Sequence, residues 1–434
     1  MTVEILFWES IDEERRRRVL RRSEADIASL SDDVSNILHS VQNEGDAACR
    51  EYTREFDKVD LRDRPFRATP EEFSDASKIL PQSVKIAITR AVENVRSVHA
   101  TQGDTKMSFV ETAPGLYNAE RVTPIPSVGL YVPRGRGSFP SMLYMLAIPA
   151  GIAGVPRIAI ATPPQPDGSV DPACLYAAEL CGVSEVYRLG GAQAIAAFAY
   201  GTESIPRVEK IVGPGSAYVA VAKRLLFGVV DVGIPAGPTE SVILADSYAS
   251  AWKVALDLTI EAEHGSDSQA LLITPSGELA ARVAEFLPSL IEELPEPRRS
   301  FVHDVFEGYG GIIVTESLAA AVELINQIAP EHLSIQTQEP FNELSRINHA
   351  GEILLGEHTP FSIANYATGA NAVLPTGGKA RTYGPVSVRD FTKSTSVVYA
   401  TEMAMNDLAD TVTALADYEG FAAHARSLRK RSGE

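Results

Sequence analysis

At 434 residues and 45% apolar content, the chain is too long for one ordinary domain and too hydrophobic for a disordered polymer. Lys plus Arg number 39 against 57 Asp plus Glu, a formal charge of -18 that argues against nucleic acid and anionic membranes as partners. The three cysteines, Cys49, Cys174 and Cys181, form no disulfide framework and suit a reducing, cytoplasmic compartment.

Residues 1–126 are polar and mostly helical in pattern, and are expected to pack partly on the second of two sheet domains. The run Arg15 to Arg18 with Arg21 and Arg22 reads as one basic face of an exposed helix. Ser31 to Asn43 and Pro81 to Thr101 have amphipathic periodicity. The tract from Arg121 to Pro126 is a stiff connector into a different texture. Residues 127–238 then alternate short β-branched runs (128–132, 157–161, 185–189 and 210–212) with small-residue helices. Residues 239–378 repeat the alternation, with strands at 241–245, 270–274, 311–315, 333–336 and 353–355. Strand and helix in strict turn imply βαβ units. The fold class is therefore α/β: two Rossmann-like, doubly wound parallel-sheet domains flanked by helical N-terminal and C-terminal segments. Residues 379–434 read as turns followed by a helical tail. The longest apolar run, Met142 to Ile160, is broken by Pro149, Pro156 and Arg157, so no membrane span is expected. Cys174 and Cys181, seven apart on a helix, read as buried small hydrophobes.

Two glycine-rich turns follow strands, Pro133 to Ser138 and Gly213 to Tyr218. Each offers backbone N–H groups to a phosphate, but neither completes G-x-G-x-x-G, and a purely structural turn is the more ordinary reading of each alone. Glu261 and His264 stand three apart near a helix end at Gly265, so both can face one ligand. Two ligands do not define a catalytic zinc, and a solvated helix end with a capping histidine explains the same spacing. Pro330-Glu331-His332-Leu333 places a carboxylate and an imidazole where a helix gives way to a strand. The pair suits general acid–base work, although a capped strand end is an equal reading.

Long blocks of this sequence resemble the histidinol dehydrogenase family. They are Val128-Gly129-Leu130-Tyr131-Val132-Pro133, the stretch from Gly190 to Ala197, Pro235-Ala236-Gly237-Pro238-Thr239-Glu240, Ala262 to Gln269, Pro330-Glu331-His332-Leu333 and Gly369 to Thr376. The resemblance runs from about Ser31 to His424. It implies a homodimer whose C-terminal segment crosses to the partner, NAD as the oxidant and one Zn2+ per subunit. It also implies oxidation of an amino alcohol through the aldehyde to the acid. Glu331 matches the carboxylate that activates water, and His332 the base that takes the alcohol proton. Tyr131, Gln193 and Ser216 fall at cofactor contacts. Thr239, Glu419, His332 and Ala372 fall at substrate positions. Glu261, His264, Asn365 and His424 fall at the metal ligands, the last offered across the dimer.

The departures lie in the same shell. The family has Gln where Glu261 stands and Asp where Asn365 stands, so one anion and one amide are exchanged with no change in total charge. The family's Asn-His-Val-Leu-Pro-Thr is Asn371-Ala372-Val373-Leu374-Pro375-Thr376 here, which removes a substrate-side imidazole. Ser216 replaces an asparagine, and Arg134 and Arg136 stand in a loop richer in glycine in the family; either arginine is a candidate for an acidic substrate group, although solvated loop arginines are the more ordinary reading. L-histidinol is the first expectation for the substrate. Another small hydroxy or sulfo alcohol is the alternative, and so is a nucleotide-binding protein that kept the fold and lost catalysis.

Overall fold

In the computed structural model, residues 3–21, 30–103, 107–134 and 137–432 are described. Arg22, Gly135 and Arg136 lie outside them. The chain divides into a larger unit, residues 1–102 and 125–391, and a smaller one, residues 103–124 and 392–434.

The larger unit holds two wholly parallel sheets. In the four-stranded sheet, Glu185–Arg188, Arg157–Thr162, Ser127–Tyr131 and Lys210–Val212 lie side by side in that order. Side chains alternate along Ser127–Tyr131 and beyond. Val128, Leu130 and Val132 meet one helical layer, which includes Gln82–Ala100, Pro140–Ala153 and Pro172–Leu180. Tyr131 faces the opposite layer, where Ser31–Glu44, Gly191–Tyr200 and Ala217–Leu225 pack. Burial on both faces explains why these strands read as continuous apolar runs. Each buried Val, Leu or Ile contributes about 1.5–3 kcal/mol of transfer free energy. The order reverses between Ser127–Tyr131 and Lys210–Val212, so the crevice at their carboxyl ends is the expected ligand position.

The six-stranded sheet runs Ile5–Phe7, Gly311–Val314, Gln269–Thr274, Glu240–Ala245, His332–Gln336 and Glu352–Leu355. Ile243, Ala245, Leu272 and Ile312 pack under Ala251–Ala262, Gly277–Glu292 and Arg298–Glu307. Val242, Leu244, Leu333 and Ile335 pack under Leu318–Ile328. The matching α/β architecture thus follows directly from the two alternating series in the sequence. The N-terminal segment divides its packing: Ile5–Phe7 and Val19 join the six-stranded sheet, whereas the helices from Ser31 to Ala100 cover the four-stranded one.

The smaller unit differs from a purely helical tail. Thr392–Ala400 pairs antiparallel with Leu116–Pro124, which also pairs with Val110–Ala113. The helices Glu402–Tyr418 and Ala422–Ser432 follow. Thr401 caps the first of them by accepting from the Ala404 amide at 3.3 Å. Among the described residues, no helix is long and apolar enough to cross a membrane.

Candidate active site

Glu331 and His332 lie with Glu240 and Glu352 at the amino ends of adjacent parallel strands in the six-stranded sheet. His332 opens its strand and pairs in register with Ser241 on one side and Glu352 on the other. Leu333 and Ile335 face the Leu318–Ile328 layer, so His332 turns to the opposite face, toward the end of Ala251–Ala262. Its Nδ1 lies 3.0 Å from Glu352 Oε2, its Nε2 lies 3.9 Å from Glu331 Oε1, and its ring meets Phe361 edge-on at 5.9 Å. Glu331 Oε2 accepts from the Glu240 amide at 2.9 Å, and Glu240 Oε1 accepts from the Gly377 amide at 2.9 Å. Glu240, Glu261, Glu331 and His332 are all buried.

Burying charge is costly unless partners compensate, so the protonation equilibria move. Burial pushes the Glu331 carboxyl up to about 8; the charge of His332 and the Glu240 amide oppose the shift, while the Glu240 and Glu261 carboxylates add to it. For His332, burial alone lowers proton affinity. Glu261, Glu331 and the hydrogen-bonded Glu352 outweigh it and raise the imidazole to about 10. The cluster therefore holds protons tightly.

Glu261 sits in the last turn of Ala251–Ala262, 1% exposed. The helix stops at Ala262, so His264 lies just past its end, not on it. Its amide still turns back to the Glu261 carbonyl at 3.2 Å, and its Nδ1 comes within 3.4 Å of Glu261 Oε2. Asn365, on the short helix Phe361–Tyr366, donates from Nδ2 to Glu261 Oε1 at 2.6 Å. The exchanged amide and carboxylate are thus direct partners, 104 residues apart in sequence. Burial raises the Glu261 carboxyl, but His264, His332 and the Asn365 amide together hold it below its ordinary value. The segment after Asn365 reaches the other sheet's layer: the Tyr144 hydroxyl donates to the Tyr366 carbonyl at 2.8 Å, and the Ala372 amide lies 3.4 Å from Met145 Sδ. Thr239 immediately precedes the Glu240–Ala245 strand, and its carbonyl accepts from the Gln269 amide at 2.9 Å. His424 and Glu419 are exposed on the smaller unit, His424 against Phe421 at 5.3 Å between ring centres.

At the carboxyl edge of the four-stranded sheet, Tyr131 ends its strand and its hydroxyl accepts from the Gly191 amide at 3.0 Å. Gly213 has φ +132°, and an added Cβ would stand 2.1 Å from the Tyr131 carbonyl oxygen, so only glycine lets the second turn lie this close. Ser216 is the exposed N-cap residue of Ala217–Leu225 and makes no side-chain capping bond. Gln193 is 1% exposed, yet neither its Oε1 nor its Nε2 has a hydrogen-bond partner. A buried amide left bare in this way suits a polar ligand that satisfies it. Arg134 uses its terminal nitrogens on the Pro164 carbonyl at 3.1 Å and Gln165 Oε1 at 3.2 Å, which ties it to the neighbouring loop.

The sequence profile of the histidinol dehydrogenase family matches residues 20–432. The chain belongs to the histidinol dehydrogenase family. It is 48% identical over 411 residues to the histidinol dehydrogenase of Synechocystis sp., covering 95% of each chain. It is also 48% identical over 419 residues to a histidinol dehydrogenase homolog of Rhizobium meliloti, covering 96% of this chain and 92% of the relative. The crystal structure of histidinol dehydrogenase from Elizabethkingia anophelis superposes with a TM-score of 0.92 at 32% identity, over 99% of this chain and 98% of that one. The family is one of NAD-dependent dehydrogenases that act on CH–OH groups.

Sequence reasoning missed Glu240 and Glu352. Each is a carboxylate at the first position of an otherwise apolar parallel strand, Glu-Ser-Val-Ile-Leu-Ala and Glu-Ile-Leu-Leu. That signal was available: a charge opening a doubly buried strand is either solvated at the rim or paired inside, and register beside His332 makes Glu352 the second kind.

Proposed function

We propose that this histidinol dehydrogenase family member oxidises a small polar amino alcohol to the aldehyde and then to the acid, with L-histidinol the first candidate and two NAD consumed per turnover. The observation that carries this reading is the buried His332 between Glu331 and Glu352, a proton-handling group held away from water beside a second carboxylate. NAD, when bound, takes the hydride of each oxidation; the unpartnered Gln193 amide, Tyr131 and the Ser216 turn at the switch-point crevice support a nucleotide there. His332 receives the hydroxyl proton as the alcohol carbon loses hydride, and Glu331 removes a proton from the water that hydrates the aldehyde. The hydrate then loses the second hydride, and its hydroxyl proton passes to His332 once that ring has released the first. Thr239, Ala372 and Glu419 belong to the substrate's surroundings in this reading.

The donors at Glu261 fit a divalent zinc: one carboxylate with no solvent access, one imidazole and one amide, all N or O ligands. Glu261, His264, Asn365 and His424 would hold it, one ion per subunit, with His424 offered by a second copy of the chain. Zinc there would fix and polarise the alcohol oxygen. The exposed Val398, Tyr399, Leu415 and Tyr418 of the smaller unit support a homodimer.

The test is NAD reduction by the purified protein with a panel of amino, hydroxy and sulfo alcohols, with and without a chelator. Turnover of L-histidinol that zinc restores after chelation is the expected result. A second reading, another alcohol in place of histidinol, is favoured by Ala372 and by the direct Glu261–Asn365 bond, both of which alter the surroundings of the substrate. Turnover of a hydroxy or sulfo alcohol alone would select it. Nucleotide binding with no turnover of any alcohol would select a protein that has lost catalysis.

Two further expectations concern binding. Metal analysis of the wild type should give about one zinc per chain. Glu261→Gln and Asn365→Asp each change the ligand charge, so each single variant should shift zinc affinity about tenfold or more, judged by the 10–100-fold cost of outer-shell changes alone. The double variant restores one anion and one amide and should lie nearer the wild type. Competition with a chromogenic chelator measures this, and equal affinity in all four proteins refutes it. Gln193→Met removes a buried amide without partners. The cofactor-free protein should gain about 1–3 kcal/mol, and calorimetry with NAD should show weaker binding. A destabilised apo protein would contradict the orphaned-amide argument.

A further inference from the structure

We propose that Glu352 is the positioning residue for His332, fixing which imidazole nitrogen is open to the alcohol. The claim rests on the assignment of His332 as the base. His332 and Glu352 are register partners on adjacent parallel strands, so the sheet itself sets their side chains on one face. Nδ1 lies 3.0 Å from Glu352 Oε2, and Phe361 braces the ring edge-on at 5.9 Å. A carboxylate only accepts, so Nδ1 carries the hydrogen in this contact. Whenever the ring is neutral, its lone pair is therefore on Nε2. That nitrogen has Glu331 Oε1 at 3.9 Å, beyond hydrogen-bond reach, so it is available to a substrate hydroxyl. The Glu352 amide also donates to the Glu331 carbonyl at 2.9 Å, which ties the positioning strand to the turn that carries the second acid–base group.

Packing alone gives no reason for this glutamate. It is followed by Ile353, Leu354 and Leu355, its side chain is 7% exposed, and its Oε1 is buried without a partner. An apolar residue would avoid that penalty. The arrangement is the general logic of a base oriented by a third group that does not itself touch substrate.

The experiment is a double-mutant cycle with spectroscopy. Glu352→Ala should lower kcat about 10²–10³-fold, within the range for a lost general base, with KM for alcohol and NAD within about threefold. Glu352→Gln, whose amide oxygen still accepts from Nδ1–H, should recover at least about tenfold of that loss, and it carries the test if the alanine variant does not fold. In a His332→Asn background, Glu352→Ala should cost no more than about twofold further, because the carboxylate acts only through the ring. L-histidinol is the first alcohol used. In protein labelled with 15N-histidine, a downfield proton on His332 Nδ1 should be present in the wild type and absent from Glu352→Ala. Wild-type kcat in Glu352→Ala alongside a crippled His332→Asn overturns the proposal. So does a fully multiplicative double variant, or a downfield Nδ1 proton that survives the loss of Glu352. Full activity in His332→Asn would instead remove the base assignment, while the Nδ1 signal still decides whether Glu352 holds the ring.

Discussion

Glu331→Gln slows aldehyde-to-acid conversion by about 10²–10⁴-fold, the usual contribution of a general base, and leaves alcohol-to-aldehyde oxidation within about tenfold of wild type. The amide cannot take a proton from water, yet its oxygen can still accept from the Glu240 amide, so the strand ends remain joined. Stopped-flow measurement with alcohol and with added aldehyde separates the two steps; equal loss in both would contradict the role given to Glu331. The same substitution has a stability signature. The folded carboxyl sits at about 8 against an ordinary 4.5, so the native state binds its proton more tightly than the unfolded chain. The resulting stability is fully present below pH 4.5 and is lost as pH rises through 8. Gln carries no such linkage. The variant should therefore gain on the wild type from about pH 4.5 to 8 and level off above, as read by denaturant midpoints across that range. A parallel pH dependence in both proteins would show that Glu331 is not held protonated.

His332→Asn acts in the opposite direction on stability. It removes the imidazole held between Glu331 and Glu352 and leaves Glu261 without one of its two compensating imidazoles. Breaking a buried pair in this way costs about 3–5 kcal/mol. The first hydride transfer should fall by about 10²–10⁴-fold with little change in KM for NAD, because the residues proposed to meet the nucleotide lie on the other sheet. The wild-type imidazole is raised from 6.5 to about 10, so its stabilisation is complete below pH 6.5 and disappears as pH passes 10. The gap between wild type and variant should close over that interval. A constant gap would mean that packing against Phe361, and not charge, accounts for the loss.

The parallel sheets were legible because burial on both faces leaves little choice of residue: 128–132, 241–245 and 270–274 are apolar or small throughout. The antiparallel sheet of the smaller unit was not. Thr392–Ala400 is largely exposed and Leu116–Pro124 mostly half-buried, so neither carries a clean alternation, and their pairing closes a loop of more than 260 residues. The one local clue was the Pro114-Gly115 turn between Val110–Ala113 and Leu116–Pro124, where Gly115 has φ +78°. In the site, Glu331 and His332 stood out because two titratable residues followed a proline. Glu240 and Glu352 did not, since a lone glutamate before an apolar run has the same appearance whether it faces water or a buried imidazole. The Asn365–Glu261 contact was equally hidden: the paired exchange gave its charge arithmetic, and only the fold makes the two side chains partners.

His332 owes its direction to register, not to a loop. Side chains along a strand alternate, so a slip of one residue between His332–Gln336 and its neighbours would swing the imidazole to the Leu318–Ile328 side and Leu333 into its place. Such a slipped sheet would keep its strand and helix content and look folded by circular dichroism. Turnover would distinguish the two alignments, which makes enzymatic activity a direct assay of whether refolded chains have recovered the correct strand pairing.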